Sequence, residues 1–296
     1  SAQWMSVVKV GRTHLQDATP LTVGQEWSGY AAALADAIDF VEYATQGLLP
    51  LAMGGTAVGT GLNAPAGFDV EVAAVIAELT GDPFVSAPNK FAAQATLDRV
   101  VRAHAALKAT AVTLFKIAND MRWLGSGPRA GLMEINFPAN EPGSSIMPGK
   151  VNPVIPEVVN QIAFEVIGND MTVTFAAEAG QLQLNAFEPI IAHSLFKSVL
   201  HLRKGCKALA DYCIDDITAN RESLRASVER SIGIVTALNP YIGYANATEI
   251  AAEAHLSGRG VAEIVLERKL MSPAQLADVL RPEVVTKPQM IPTHAV

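Results

Sequence analysis

Aromatic residues are scarce in this chain: Phe, Trp and Tyr supply 6% of 296 residues, although half the sequence is hydrophobic. The apolar residues are therefore mostly Ala, Val, Leu and Ile. That composition suits closely packed helices better than a β-sandwich, which wants more aromatic and β-branched alternation. Charged residues are also few, at 17%. A chain this apolar is expected to bury helix faces against other subunits as well as within itself. No uninterrupted apolar run reaches membrane-spanning length and no signal peptide is read at the start, so a cytoplasmic protein with no membrane partner is expected. Lys and Arg form no long cluster and the net charge is −7, which argues against nucleic acid as a partner. There are two cysteines, Cys206 and Cys213, seven apart in one helical pattern. That spacing is too long for an unstrained bridge, and no third or fourth zinc ligand stands nearby. Both read as small core residues.

What is present is helical periodicity. Thr22 offers an N-cap with Gln25 at the capping-box position, and Val23, Trp27, Tyr30, Leu34, Ile38 and Val41 follow at helical spacing. A long helix is expected over 23–46. The glycine-rich stretch 48–68 lacks the strand and glycine spacing of a dinucleotide fingerprint and reads as a kinked link. A short helix over 70–79, one of nearly thirty residues from Phe91, one entered at Pro156 and one from Glu188 complete the long elements. Beyond Asp215 the elements shorten into compact helices over 247–256, 261–268 and 273–280, and the tail from Arg281 has no periodicity. No convincing period-2 strand series is found. The fold expected is all-α, an elongated bundle of long helices (1–216, N-terminally incomplete) followed by a small helical domain (217–296).

Two polar stretches interrupt this pattern. Gly143–Asn152, GSSIMPGKVN, packs two hydroxyls, an ammonium and a carboxamide among backbone-permissive residues. It reads as a loop whose N–H groups and side chains converge on something small and anionic. Gly11–Pro20, GRTHLQDATP, reads as a polar, turn-rich segment in which Arg, Thr and a titratable His crowd together, as in an anion site. His104, His193, His201, His255 and His294 read as ordinary surface or packing residues. No metal-ligand spacing is present.

GSSIMPGKVNP resembles the signature loop of the fumarase/aspartase superfamily, and GRTHLQDATP resembles its second active-site segment. GGTAVGTGLN, ANDMRWLGSGPRAG, GQLQLN and IVTALNPYIGY extend the likeness along most of the chain. The resemblance implies homotetramers whose active sites are shared between subunits. It also implies reversible anti-elimination from a succinyl skeleton, a small dicarboxylate substrate, to give fumarate without any cofactor. Carried over by position, Ser144 is the general base, Lys150 and Asn152 bind one substrate carboxylate, Thr13 and His14 hold the other end, and Glu157 pairs with His14. The family's usual N-terminal third, with its contacts to the leaving-group side, is absent from these residues.

The residue chemistry agrees with these roles. A succinate Cβ proton is barely acidic, so its removal needs fixed donors on the neighbouring carboxylate as it becomes an aci-carboxylate. Lys150 is a compact cation for that task and Asn152 adds directional donors. A serine acts as a base only if backbone N–H groups and nearby positive charge stabilise its alkoxide. GGTAVGTG, APNKF and MRWLGSGP resemble class II fumarase; KVNPVIPEVVNQ, AAEAGQLQLN, FEPII and SIGIVTALNP resemble aspartase. The aspartase-like segments are longer and adjoin the signature loop, which favours aspartate ammonia-lyase over fumarate hydratase. A non-catalytic structural bundle or assembly partner is the alternative outside enzymes.

Overall fold

A computed structural model describes residues 1–288; His294 and the end of the tail lie outside the described residues. The protein is all-α in class, with helices α1 (Val23–Thr45), α2 (Phe68–Thr80), α3 (Lys90–Ala95), α4 (Asp98–Leu124), α5 (Val154–Glu178) and α6 (Glu188–Leu209) as its longer elements and α3 a single short segment. Six further helices follow among the described residues: α7 (Arg221–Arg230), α8 (Val235–Ile242), α9 (Tyr244–Ser257), α10 (Val261–Glu267), α11 (Pro273–Val279) and α12 (Pro282–Val285). No described helix is long and apolar enough to cross a membrane.

The chain divides into two compact units. One comprises Ala32–Trp123 and Phe137–Asp216, the other Ser1–Ala31, Leu124–Asn136 and the residues from Ile217 onward. The first unit is a set of long packed helices. On α5 the buried positions Val159, Ala163, Val166, Asp170 and Val173 recur three and four apart, as one face of a helix requires. On α6 the matching row is Ile191, Ser194, Ser198, Leu202, Gly205 and Leu209. Gly205 is a close-approach point, since a Cβ there would lie 2.7 Å from Ile162 Cδ1. A buried polar network joins three helices of this unit. His104 Nδ1 lies 3.1 Å from Asp170 Oδ1 and its Nε2 lies 2.9 Å from Ser198 Oγ, while Lys108 Nζ reaches the other Asp170 oxygen at 2.5 Å. His104 is thus a packing histidine with both ring nitrogens engaged.

The second unit has its core in the C-terminal helices, where Leu238, Ile250, Ile264 and Val265 are fully buried. Its other part is a hairpin of β1 (Val8–Thr13) and β2 (Gln16–Thr22), against which α7 packs. The hairpin leads directly into α1. Gln25 N donates to Thr22 Oγ1 at 3.0 Å and Thr22 N to Gln25 Oε1 at 2.9 Å, so the expected capping box forms reciprocally.

Four expectations are corrected. Residues 11–20 are not a plain turn-rich loop: with the residues before them they hold a short 3-10 turn and the hairpin. Period-2 alternation is broken there by a bulge between Val10 and Arg12, which hides the strands from a pattern search. Further short pairs, β3 (Pro50–Leu51) with β4 (Val85–Ser86) and β5 (Ile135–Asn136) with β6 (Thr218–Ala219), are too short to show a period. The helix expected from Phe91 is two helices, because Thr96 is extended at φ −123° and ψ 135°. Cys206 is exposed rather than core, while Cys213 is buried.

Candidate active site

The signature loop is tied shut at its base. Gly143 N donates to Lys150 O at 2.9 Å, and Asn152 Nδ2 donates to Gly143 O at 2.5 Å. A Cβ on Gly143 would stand 2.4 Å from Lys150 O, so only glycine lets the two ends of the loop meet. Gly149 turns the chain with φ +75°. Within this closed loop Ser144 Oγ accepts two backbone donors, Ile146 N at 3.3 Å and Met147 N at 3.2 Å. Two N–H dipoles aimed at one hydroxyl oxygen favour its negative form.

Ser144, Glu141, Met147 and Lys150 line an open depression of about 440 Å³. Sequence reasoning passed over Glu141, although it stands three residues before Ser144. Beyond the loop the chain enters α5, the positive end of whose dipole lies near Asn152. Glu157 lies in the first turn of that helix with Oε1 3.7 Å from Arg122 Nη2. The structure therefore brings Ser144, Lys150 and Asn152 together in one loop and gives Glu157 an arginine neighbour. Thr13 and His14 belong to the other unit.

There they form the tip of the hairpin. Thr13 pairs with Gln16, leaving His14 and Leu15 as a two-residue turn with φ +53° and +61°. Two consecutive left-handed residues make the tight hairpin turn that Asn-Gly usually supplies. A side chain in that region costs about 1 kcal/mol or more per residue. Such strain on an exposed histidine is a feature found at functional sites. Behind the tip lies a buried charge cluster that the sequence did not reveal. Lys9 Nζ stands 2.6 Å from Glu26 Oε1 and 2.7 Å from Glu134 Oε2, and Arg12 Nη1 stands 2.5 Å from Glu134 Oε1. Lys9 is 2% exposed and Glu134 1%. Among the described residues no group of three His, Cys, Asp or Glu side chains gathers as metal ligands would.

A family model described as "Lyase" matches residues 1–168, more than half of the chain, and one described as "Fumarase C C-terminus" matches residues 234–287. The chain belongs to the fumarase/aspartase superfamily. It is 53% identical over 280 residues to a class II fumarate hydratase of Myxococcus xanthus, covering 95% of this chain and 60% of that protein. It is 51% identical over 294 residues to an aspartate ammonia-lyase of Pseudomonas aeruginosa, covering 99% of this chain and 62% of that one. Among solved structures, a fumarate lyase:delta crystallin from Brucella melitensis superposes with TM-score 0.91 at 45% identity, over 97% of this chain and 62% of that chain. A class II fumarase from Schistosoma mansoni gives 0.90 at 38% identity, over 95% and 62%. The chain thus spans about 60% of the length of the superfamily members it matches. The superfamily is one of enzymes, and relatives of two activities stand at nearly equal identity.

Proposed function

We propose that this chain carries the base-bearing part of a lyase that converts a succinyl-type substrate to fumarate by reversible anti-elimination. The observation that carries the reading is the paired donation of Ile146 N and Met147 N to Ser144 Oγ inside a loop that also bears Lys150. As an alkoxide, Ser144 takes the Cβ proton, and the electron pair moves onto the adjacent carboxylate as an aci-carboxylate. Lys150 and Asn152 stabilise that charge; collapse of the intermediate forms the double bond and expels the leaving group. Asn152 has one amide hydrogen engaged with Gly143 O, and its second remains for substrate. Thr13 and His14 hold the other carboxylate end, with Glu157 orienting His14 across subunits.

L-Aspartate is the proposed substrate, giving fumarate and ammonia. The aspartase-like segments next to the signature loop support it. L-Malate is the second reading, supported by the fumarate hydratase relative at 53% identity. We further propose a cytoplasmic homotetramer with shared sites and a domain division at residue 217. Support for assembly comes from long helices that leave large apolar side chains uncovered: Phe40 and Tyr43 on α1, Phe164 and Phe175 on α5, Phe196 on α6. The N-terminal contacts that the superfamily places on the leaving-group side are proposed to come from a further segment.

Ultraviolet absorbance of fumarate, with L-aspartate and L-malate supplied separately, tests the substrate. Fumarate from aspartate alone supports the ammonia-lyase reading. Fumarate from malate alone replaces it with the hydratase.

A further inference from the structure

The buried charge cluster is built on β1, the strand that leads into the Thr13–His14 tip. Along a regular strand, side chains two apart share a face, so Lys9 would share one with Gly11 and Thr13. Between the Val10–Pro20 and Arg12–Asp17 pairs β1 has one residue, Gly11, and β2 has two, Ala18 and Thr19, so the extra residue lies on β2; Lys9 and Arg12, three apart on β1, nevertheless converge on one carboxylate. Both reach Glu134: Lys9 takes Oε2 at 2.7 Å and Arg12 takes Oε1 at 2.5 Å. Gly11 sits at the bulge because a Cβ there would lie 2.4 Å from Thr19 O. Thr13, next along the strand, is exposed. Arg12 immediately precedes Thr13, so its pairing with Glu134 holds the strand at the point where the tip begins.

Glu134 is itself anchored through its backbone on both sides. Its N–H donates to Leu124 O and its carbonyl accepts from Asn220 N, each at 2.8 Å. A carboxylate so fixed, nearly inaccessible and shared by two cations from either side of a bulge, is a pin for register. A one-residue slip of β1 would displace both Lys9 and Arg12 and leave Glu134 without its cations.

We propose that Glu134, acting through Lys9 and Arg12, is the positioning residue that sets the direction of the Thr13–His14 tip. Its role in substrate binding rests on the reading of Thr13 and His14 as carboxylate-binding residues. The fold alone does not require the arrangement, since a hairpin can be joined without a bulge or a left-handed tip.

The test uses Glu134→Gln and Glu134→Asp beside a control that lowers stability elsewhere in the same unit, Leu238→Ala. Amide hydrogen exchange over residues 12–16 reports the tip directly, and steady-state kinetics report binding. Glu134→Gln is expected to speed exchange at the tip and raise KM, each on the order of tenfold, with the rise in KM larger than the fall in kcat. Glu134→Asp, which keeps the charge, should recover part of both, and Leu238→Ala should move neither selectively. Unchanged tip exchange in Glu134→Gln overturns the proposal. Should that variant fail to fold, Arg12→Gln, which removes only the half-buried arm, replaces it with the same two outcomes. An inactive wild-type protein would sink the lyase reading and leave the exchange measurement to decide the positioning claim.

Discussion

Asn152 closes the signature loop by donating its amide to the carbonyl of Gly143, 2.5 Å away. One side chain thus links the two ends of the segment that holds Ser144 and Lys150. Its amide is a tie within the chain as well as a proposed contact to substrate. Replacing it by alanine should loosen the loop, remove about 1 kcal/mol of stability and raise KM together with a fall in kcat. Thermal unfolding and steady-state kinetics of Asn152→Ala check this; an unchanged KM would separate the tie from binding.

The His104–Asp170–Ser198 network binds α4, α5 and α6 through groups that are almost wholly buried. Removing the carboxylate leaves Lys108 and His104 without their shared acceptor. Asp170→Leu is expected to cost about 3 kcal/mol, read as a lowered midpoint in denaturant unfolding. A loss below about 0.5 kcal/mol would show that the network is not a structural joint.

Asp69 has its pKa lowered from the ordinary value of 3.8, first by the Ser86 hydroxyl it accepts from and then by Lys90. A carboxyl depressed in the folded state stabilises it above the unfolded pKa, and that contribution disappears as pH falls through the folded value. Stability measured across pH 7 to 2 should therefore drop below about pH 4, and Asp69→Asn should flatten that part of the curve. An identical pH profile for the variant would remove Asp69 from the account.

The two cysteines should differ in reactivity. Burial pushes the Cys213 thiol up to about 12, and Cys206 is exposed. An alkylating reagent at pH 8 is expected to modify Cys206 alone in the folded protein and both after unfolding. Modification of Cys213 at the same rate as Cys206 would contradict its burial.

How much of this was legible in the sequence depends on range. The Thr22–Gln25 box is a local code, and it foretold the start of α1 to the residue. The signature loop was legible because its glycines, hydroxyls and lysine are adjacent in the chain. The hairpin was not, since a bulge breaks its alternation and His14-Leu15 occupies a turn usually marked by Asn-Gly. Glu134 carried no signal at all: it reads as one acid among many until a strand 122 residues earlier delivers Arg12 to it. The break between α3 and α4 was equally hidden, because Thr96 leaves the helix without a glycine or proline to mark it.

The most direct test of the central claim compares the wild-type protein with Ser144→Ala, following fumarate absorbance with L-aspartate and with L-malate while recording oligomer size. Among the described residues the hydroxyl accepts from two N–H donors of its own loop, so its loss should leave folding and assembly unchanged. Turnover is expected to fall by roughly 10²- to 10⁴-fold with an unaltered oligomer. Full activity in Ser144→Ala would contradict the assignment of the base.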